Sequence, residues 1–355
     1  MNRKITLLIL PALFILSLSA FAQFRKTTET VGVNFQWHRF SSDGAETDYY
    51  ALAIPLRAVY APGRYTSFSF FLNQGYQSYA QTGLYGLGNL AVEFRQMFNE
   101  NFTLQLQAVA PTGTQELERL ELNAASAGKI PYINAPSTYA NQGLGFKGGL
   151  AFAQQAGEGF KIGLGASYTY RGSYRPVKDG GEFDPSDEIL LAAGVEIGSE
   201  QGGIIADFRY AFYNPEKAEI EENAGKEEIS APGDAISLSG QIFLSSLQLS
   251  VLYYDRVATQ FPAGGEFKSP AVLAVRLANR FGNSVFVPYL GYEYNDEGDL
   301  ILSANVLLVG GYFHNFTPGG FPFSPYLEVK YGEVAPGASM LGFRVGTSLA
   351  FQLYN

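Results

Sequence analysis

The chain of 355 residues holds two histidines, His38 and His314, and no cysteine. Hydrolysis by a histidine-activated serine needs His beside Ser or Asp. His38, followed by Ser41, Ser42 and Asp43, is the one stretch with those parts. A rim histidine in a polar turn is the commoner explanation, and the strand pattern below places the two histidines at opposite ends of the fold. The chain is therefore expected not to be an enzyme. Without cysteine, disulfides, thiolate metal sites and cysteine nucleophiles are excluded. A run of Glu216, Glu219, Glu221, Glu222, Glu227 and Glu228, offset by Lys217 and Lys226, has the charge to gather divalent cations among lipid phosphates. Its spacing matches no metal-binding loop, and a solvated charged loop is the plainer account. No metal or cofactor is expected.

A second group of polar side chains is more informative because it alternates with apolar ones. Glu93, Arg95, Gln105, Gln107, Lys147, Asp207, Arg209, Arg276, Asn305, Glu328, Lys330 and Arg344 all fall on the polar side of period-2 segments. If that side is the wet interior of a barrel, these residues either pair across strands and fill it or set its selectivity for solutes. Both signs occur, which argues against strong ion selectivity in either direction.

The elements that must position them read as strands. Val31, Val33, Phe35 and Trp37 alternate with Gly32, Asn34, Gln36 and His38; Leu90, Val92 and Phe94 alternate with Asn89, Ala91, Glu93 and Arg95. The same period runs through Phe102–Ala108, through Phe160, Ile162, Leu164, Ala166, Tyr168 and Tyr170, through Ile204–Phe212, and through Phe343, Val345, Leu349, Phe351 and Leu353. These segments have the length of a tilted strand crossing a bilayer, about 9 to 11 residues. Weaker strands at 49–60, 64–72, 144–152, 188–197, 235–243, 247–255, 270–281, 284–294, 300–312 and 324–333 bring the count to about 16.

The connections switch between short and long. Turns near 62–63, 99–101, 155–159, 199–203, 245–246 and 282–283 alternate with loops at 73–85, 111–140, 172–185, 213–233 and 256–269. Short periplasmic turns and long external loops belong to bacterial membrane barrels. The expected fold is all-β, a transmembrane antiparallel up-and-down β-barrel of about 16 strands with both termini periplasmic. Counts of 12 or 14 stay open, because 315–322 is long for a periplasmic turn and 41–46 is the first hairpin loop.

Residues 1–22 carry the three parts of a secretory leader: Arg3 and Lys4, an apolar stretch from Ile5 to Leu18, and Ala20-Phe21-Ala22 before Gln23. Cleavage after Ala22 leaves 23–355 as one barrel domain, exported to the outer membrane of a Gram-negative cell. The 24 Lys and Arg already face 33 Asp and Glu for a net charge of −9, and losing Arg3 and Lys4 makes the mature chain more acidic still. Such a surface repels nucleic acid. The expected partners are outer-membrane lipid, lipopolysaccharide and a small-molecule solute, with the oligomeric state open. The end, Phe351-Gln352-Leu353-Tyr354-Asn355, puts an aromatic one place before the terminus, a partial match to an outer-membrane insertion signal.

Two motifs bracket the hairpin over 90–110: Gly86-Leu87-Gly88-Asn89-Leu90 opens it and Ala110-Pro111-Thr112-Gly113-Thr114 closes it, ahead of a Gly-rich strand with Gly143 and Gly145. Over Leu84 to Ile197 the chain resembles the outer-membrane family of meta-pathway phenol-degradation transporters, a distant likeness of the fatty-acid and aromatic-hydrocarbon channels. The resemblance implies a porin-like channel for small hydrophobic or aromatic solutes. Asn89 departs from the usual Asp of that motif. Only Gln23 to Glu29 precede the first strand, so the N-terminal plug of the fatty-acid channels has no counterpart.

Within loop 111–140, Glu116–Ala125 has Leu117 and Leu120 at helical spacing among Glu116, Glu118, Arg119 and Glu121, with Gly128 and Pro131 as breakers. A loop of this length either folds inward as a constriction, lies over the mouth, or stays on the surface. The functional expectation is an outer-membrane channel for passive diffusion of small solutes. The alternative is a non-conducting structural or adhesive barrel whose long loops bind a partner.

Overall fold

The computed structural model describes residues 27–80, 82–114, 116–135, 142–199, 202–220, 225–281, 284–299, 303–314, 316–317 and 322–353. The expected leader, residues 200–201 and 282–283 of two expected turns, Glu221 and Glu222 of the acidic run, and the terminal Tyr354 and Asn355 lie outside these residues. The chain folds into one closed antiparallel barrel. Its first strands are β1 (Thr27–Ser42), β2 (Ala45–Gly63), β3 (Thr66–Tyr79), β4 (Thr82–Leu87), β5 (Leu90–Met97) and β6 (Phe102–Ala110). A helix, α1 (Arg119–Ala127), follows in the loop before β7 (Gly145–Gly157) and β8 (Phe160–Arg171). The wall continues through β10 (Glu188–Ser199), β11 (Gly202–Tyr213), β14 (Ala235–Leu244), β15 (Leu247–Arg256) and β18 (Val272–Asn279). It ends with β19 (Phe286–Asn295), β20 (Ala304–Phe313), β21 (Tyr326–Ala335) and β22 (Ala338–Leu353).

Every wall strand pairs with its sequence neighbour, and β1 closes the cylinder on β22, from Thr27 opposite Leu353 to Ser42 opposite Ala338. β4 and β5 both pair with β3 and together make one stave, so the barrel has 16 staves. The even count matches the expectation for such barrels. The residues expected as a loop at 73–85 are instead largely strand, forming the β3–β4 hairpin that extends the wall past the bilayer span. The first loop is a two-residue turn, Asp43-Gly44, with φ of 47° and 79°. Both values suit the right-handed twist of a tight hairpin, and glycine holds the second without strain. Three long loops carry small sheets: β9 (Phe183–Asp184) with β12 (Glu216–Glu219) and β13 (Lys226–Ser230), and β16 (Thr259–Gln260) with β17 (Glu266–Phe267).

Alternation decides what each face meets. Leu106, Leu150, Leu164, Ile189, Phe208, Leu290 and Val309 are exposed on the outside. Soluble proteins rarely expose so continuous an apolar surface, whereas hydrocarbon requires it. Inside, aromatic rings lie flat over glycines of the next strand. A Cβ on Gly346 would come within 2.5 Å of the Tyr326 ring, and one on Gly310 within 2.6 Å of Tyr289. These glycines let two tyrosines hug the wall instead of blocking the lumen.

Candidate functional site

The site is the lumen, and the loop between β6 and β7 shapes it. Its entrance is clamped by the two short motifs. Leu90 N donates to Thr112 Oγ1 at 2.9 Å, Thr114 N donates to the Leu87 carbonyl at 3.0 Å, and Gly113 N donates to Asn89 Oδ1 at 3.3 Å. Asn89 also donates through Nδ2 to the Gln142 carbonyl at 3.0 Å, which ties the loop's exit to its entry. The motifs thus have a local structural role: they hold the base of the inserted loop at the break between β4 and β5.

From that base the loop runs inside the barrel. α1 is capped by Glu118, whose N–H donates to Glu121 Oε2 at 2.9 Å, the reach-back of a capping box. Its Ala124 and Ala125, with Leu117, are buried against the inward Leu84 of β4. Gly128 then passes Tyr49 so closely that a Cβ would lie 2.8 Å from the hydroxyl. Beyond it Tyr132 and Ile133 are buried among Tyr49, Ala51, Ala304, Val306, Val334 and Met340, all inward residues of β2, β20, β21 and β22. Inward folding is therefore what the structure shows, and the deepest part is 128–135 instead of the charged helix. Glu116, Glu118 and Arg119 stay exposed, and Glu121 is half-buried in the cap.

Three successive carbonyls dock this segment on the wall. Lys330 Nζ donates to Tyr132 O at 2.9 Å, and Arg344 reaches Asn134 O at 3.5 Å. Between them, the Gln36 amide is oriented to donate to Ile133 O at 3.0 Å while its oxygen accepts from Arg344 Nε at 3.0 Å. Behind the docking groups lies an ion network. Arg276 meets Glu328 at 3.2 Å and stacks 4.3 Å from the centre of the Tyr289 ring; the Tyr289 hydroxyl donates to Glu328 at 2.7 Å. Lys330 sits between Glu328 at 3.7 Å and Glu293 at 3.9 Å. Burial of these charges is tolerated because each has opposite charge and hydrogen bonds at hand.

The lumen is consequently lopsided. Along β1, β2 and β19 to β22 the inward side chains beside the docked segment are sealed: Gln36, His38, Tyr49, Val306, Glu328 and Lys330 are all at most 4% exposed. Along β5 to β18 the inward side chains meet solvent. Arg95, Arg209 and Arg276 are exposed, and Gln105, Gln107, Lys147, Asp207, Ser167 and Thr169 are partly so. Glu93 is held by Gln105 Nε2 at 2.7 Å and by Arg95 at 3.3 Å, and Lys147 stands opposite Gln107 in the β6–β7 register. Small inward residues, Gly149, Gly163, Gly165, Ala192 and Gly194, keep this wall thin.

Eleven of the twelve expected lumen residues share the inner face, but Asn305 does not. Its strand neighbours Ala304 and Val306 are fully buried inside, so Asn305 faces out and accepts a hydrogen bond from the Tyr292 hydroxyl. Sequence reasoning passed over Glu293, Tyr289 and Tyr326, and noted Gln36 only as a polar place in a strand. Only the docked loop, which comes from a distant part of the chain, gives these residues their roles. His38 is buried with Nδ1 against Gly342 near the long-loop end, whereas His314 follows β20 at the short-turn end, its N–H donating to Val285 O at 2.7 Å. The two do not share a site.

No family model and no curated protein matches the chain. Solved structures do. The crystal structure of Pseudomonas aeruginosa OpdQ aligns over 93% of this chain and 98% of its own, at 10% identity and a TM-score of 0.52. Pseudomonas aeruginosa OccK11 (OpdR) aligns over 92% and 96%, at 9% identity and a TM-score of 0.50. At such identities the likeness is one of fold.

Proposed function

We propose that the chain is a passive channel of the bacterial outer membrane, with its long loops external and both termini periplasmic, that admits small solutes past the docked loop. The observation behind this reading is the divided lumen: one half is packed by 128–135, while the other keeps Arg95, Lys147, Asp207 and Arg209 in contact with water. A structural barrel with a filled interior has no use for a wet, charged wall. The apolar outer surface supports the membrane setting, and the alternation of long and short connections supports the orientation.

For solute size and character, support comes from the inner wall where the open side meets β20. A cavity of about 480 Å³ on the inner wall is lined by Leu252, Ala274, Leu308 and Tyr312 beside Ser239, Gln241, Ser250 and Arg276. That mixture gives a small hydrophobic or aromatic solute an apolar surface to slide along, and gives polar substituents partners. The test is reconstitution of the purified barrel in planar bilayers, with liposome swelling in phenol-sized and sugar-sized solutes. Steady single-channel conductance with uptake of both small classes is expected. Absence of conductance from correctly folded barrel would overturn the channel reading.

A further inference from the structure

The two ends of the outer surface differ in chemistry. At the long-loop end, outward tyrosine hydroxyls donate to aspartates at the strand tips: Tyr168 to Asp187 at 2.6 Å, Tyr210 to Asp234 at 2.8 Å and Tyr253 to Asp255 at 3.2 Å. The pairing recurs at Tyr50 with Asp48 and at Tyr294 with Asp296, both 3.2 Å. The five tyrosines sit on β2, β8, β11, β15 and β19, so the pairs form a collar around the barrel. At the short-turn end, the outward aromatics are mainly phenylalanines in contact with one another. Phe102 lies 4.9 Å from Phe152, Phe68 lies 5.1 Å from Phe94 and Phe286 lies 5.3 Å from Phe313.

An aromatic belt marks the depth of each interface, but phenylalanine offers a headgroup nothing to bond. A tyrosine fixed by a carboxylate offers a ring at set orientation and, beside it, an acceptor. Asp48 is taken on both oxygens by Arg39, and Asp187 also accepts from the Arg171 N–H and from Asn214 Nδ2. Asp234, Asp255 and Asp296 keep open sites: one hydroxyl, joined at Asp255 and Asp296 by one backbone N–H, fills only part of a carboxylate's about four lone-pair sites. The free acceptors point to a partner rich in donors. Lipid phosphate is not that partner, since carboxylate repels it; sugar hydroxyls are, since they donate to Asp while the C–H face of the ring packs on Tyr.

We propose that the tyrosine–aspartate collar binds the saccharide headgroups of a glycolipid in the leaflet facing the long loops. The inference rests on the outer-membrane reading above and names the surface and the lipid class it would engage. The experiment titrates the full barrel in detergent with purified lipopolysaccharide in the presence of EDTA, scored by binding and by retention of the heat-sensitive folded band. A variant carrying Asp234→Asn, Asp255→Asn and Asp296→Asn should bind about ten-fold more weakly, the effect of losing one or two charge-assisted hydrogen bonds. A second variant, Tyr168→Phe, Tyr210→Phe and Tyr253→Phe, keeps the rings and should weaken binding in the same direction. Phe102→Leu with Phe286→Leu, at the other end, should leave it unchanged. Equal binding by all the folded proteins overturns the proposal, and so does binding that EDTA abolishes, which would assign the contact to cation-bridged phosphate. Conductance in glycolipid-free planar bilayers is read separately: its absence sinks the channel reading whatever the collar binds.

Discussion

Lys330 Nζ and the carbonyl oxygen of Tyr132 meet at 2.9 Å although 198 residues separate them in the chain. The contact joins the wall at β21 to the segment that narrows the lumen. It also makes the segment's position dependent on both side-chain packing and a charged donor.

Ile133→Ala tests the packing half. The side chain is fully buried between β2 and β20 to β22, and truncating such a residue costs about 2 to 5 kcal/mol. Because the segment closes no strand, the loss should appear as undocking of 128–135 and not as collapse of the barrel. Single-channel conductance is expected to rise, with the heat-modifiable gel shift retained. A variant as narrow as the parent would mean that the segment is held by its carbonyls alone.

Replacing the open wall's charges should change selectivity without changing size. Arg95→Glu with Arg209→Glu reverses two exposed lumen charges while leaving the ion network of Arg276, Glu328 and Lys330 in place. Reversal potentials in a salt gradient should move toward cation preference, and the shift should shrink as salt rises from about 0.1 to 1 M, where the screening length falls from about 10 to 3 Å. An unchanged reversal potential would remove the open wall from the permeation path.

The two faces of β8 predict opposite tolerances. Leu164 is 59% exposed on the outside, whereas Ser167 faces inward opposite Gly149 and Leu190. Leu164→Arg puts a charge into hydrocarbon, at about 2 to 4 kcal/mol near the midplane, while Ser167→Arg meets water. Urea unfolding from liposomes should show the first variant destabilised and the second close to the parent. Equal losses would place the faces wrongly.

Gly346 and Tyr326 form a pair that can be tested by compensation. A Cβ on Gly346 would lie 2.5 Å from the Tyr326 ring, closer than any real contact. Gly346→Ala should therefore destabilise the barrel or push the ring into the lumen, lowering conductance. Adding Tyr326→Ala should restore the lost stability in part, a coupling readable in a double-mutant cycle. Strict additivity would show that the ring already has room to move.

Much of the fold was legible because one face of nearly every strand is lipid and the other water, so period 2 appears in the residues themselves. β8 is the clear case, with Leu164, Ala166 and Tyr168 set against Gly165, Ser167 and Thr169. β20 is the failure. Ala304-Asn305-Val306-Leu307-Leu308-Val309 is apolar on both faces because its inner face packs against Ile133, so alternation gave no side and Asn305 was assigned to the wrong one. The loop misled for a related reason. Its charged stretch, Glu116 to Glu121, draws the eye, but the part that enters is Ile130-Pro131-Tyr132-Ile133, an apolar run whose destination is on strands far away in sequence. The pattern of 73–85, with glycines and tyrosines, resembled a loop because those strands extend past the bilayer, where lipid no longer imposes an apolar face.

The seam between β1 and β22 sets an order of assembly. Thr27 must find Leu353 before the cylinder has no open edge, so the first strand made waits for the last. Until then both edges offer unpaired backbone groups to any neighbouring chain. Contacts this distant are slow to form, and helical membrane proteins, whose hydrogen bonds close within each segment, do not face the same delay. The chain therefore cannot fold as it is synthesised: it has to be released whole, kept from aggregating on the way, and closed in one late step at the membrane.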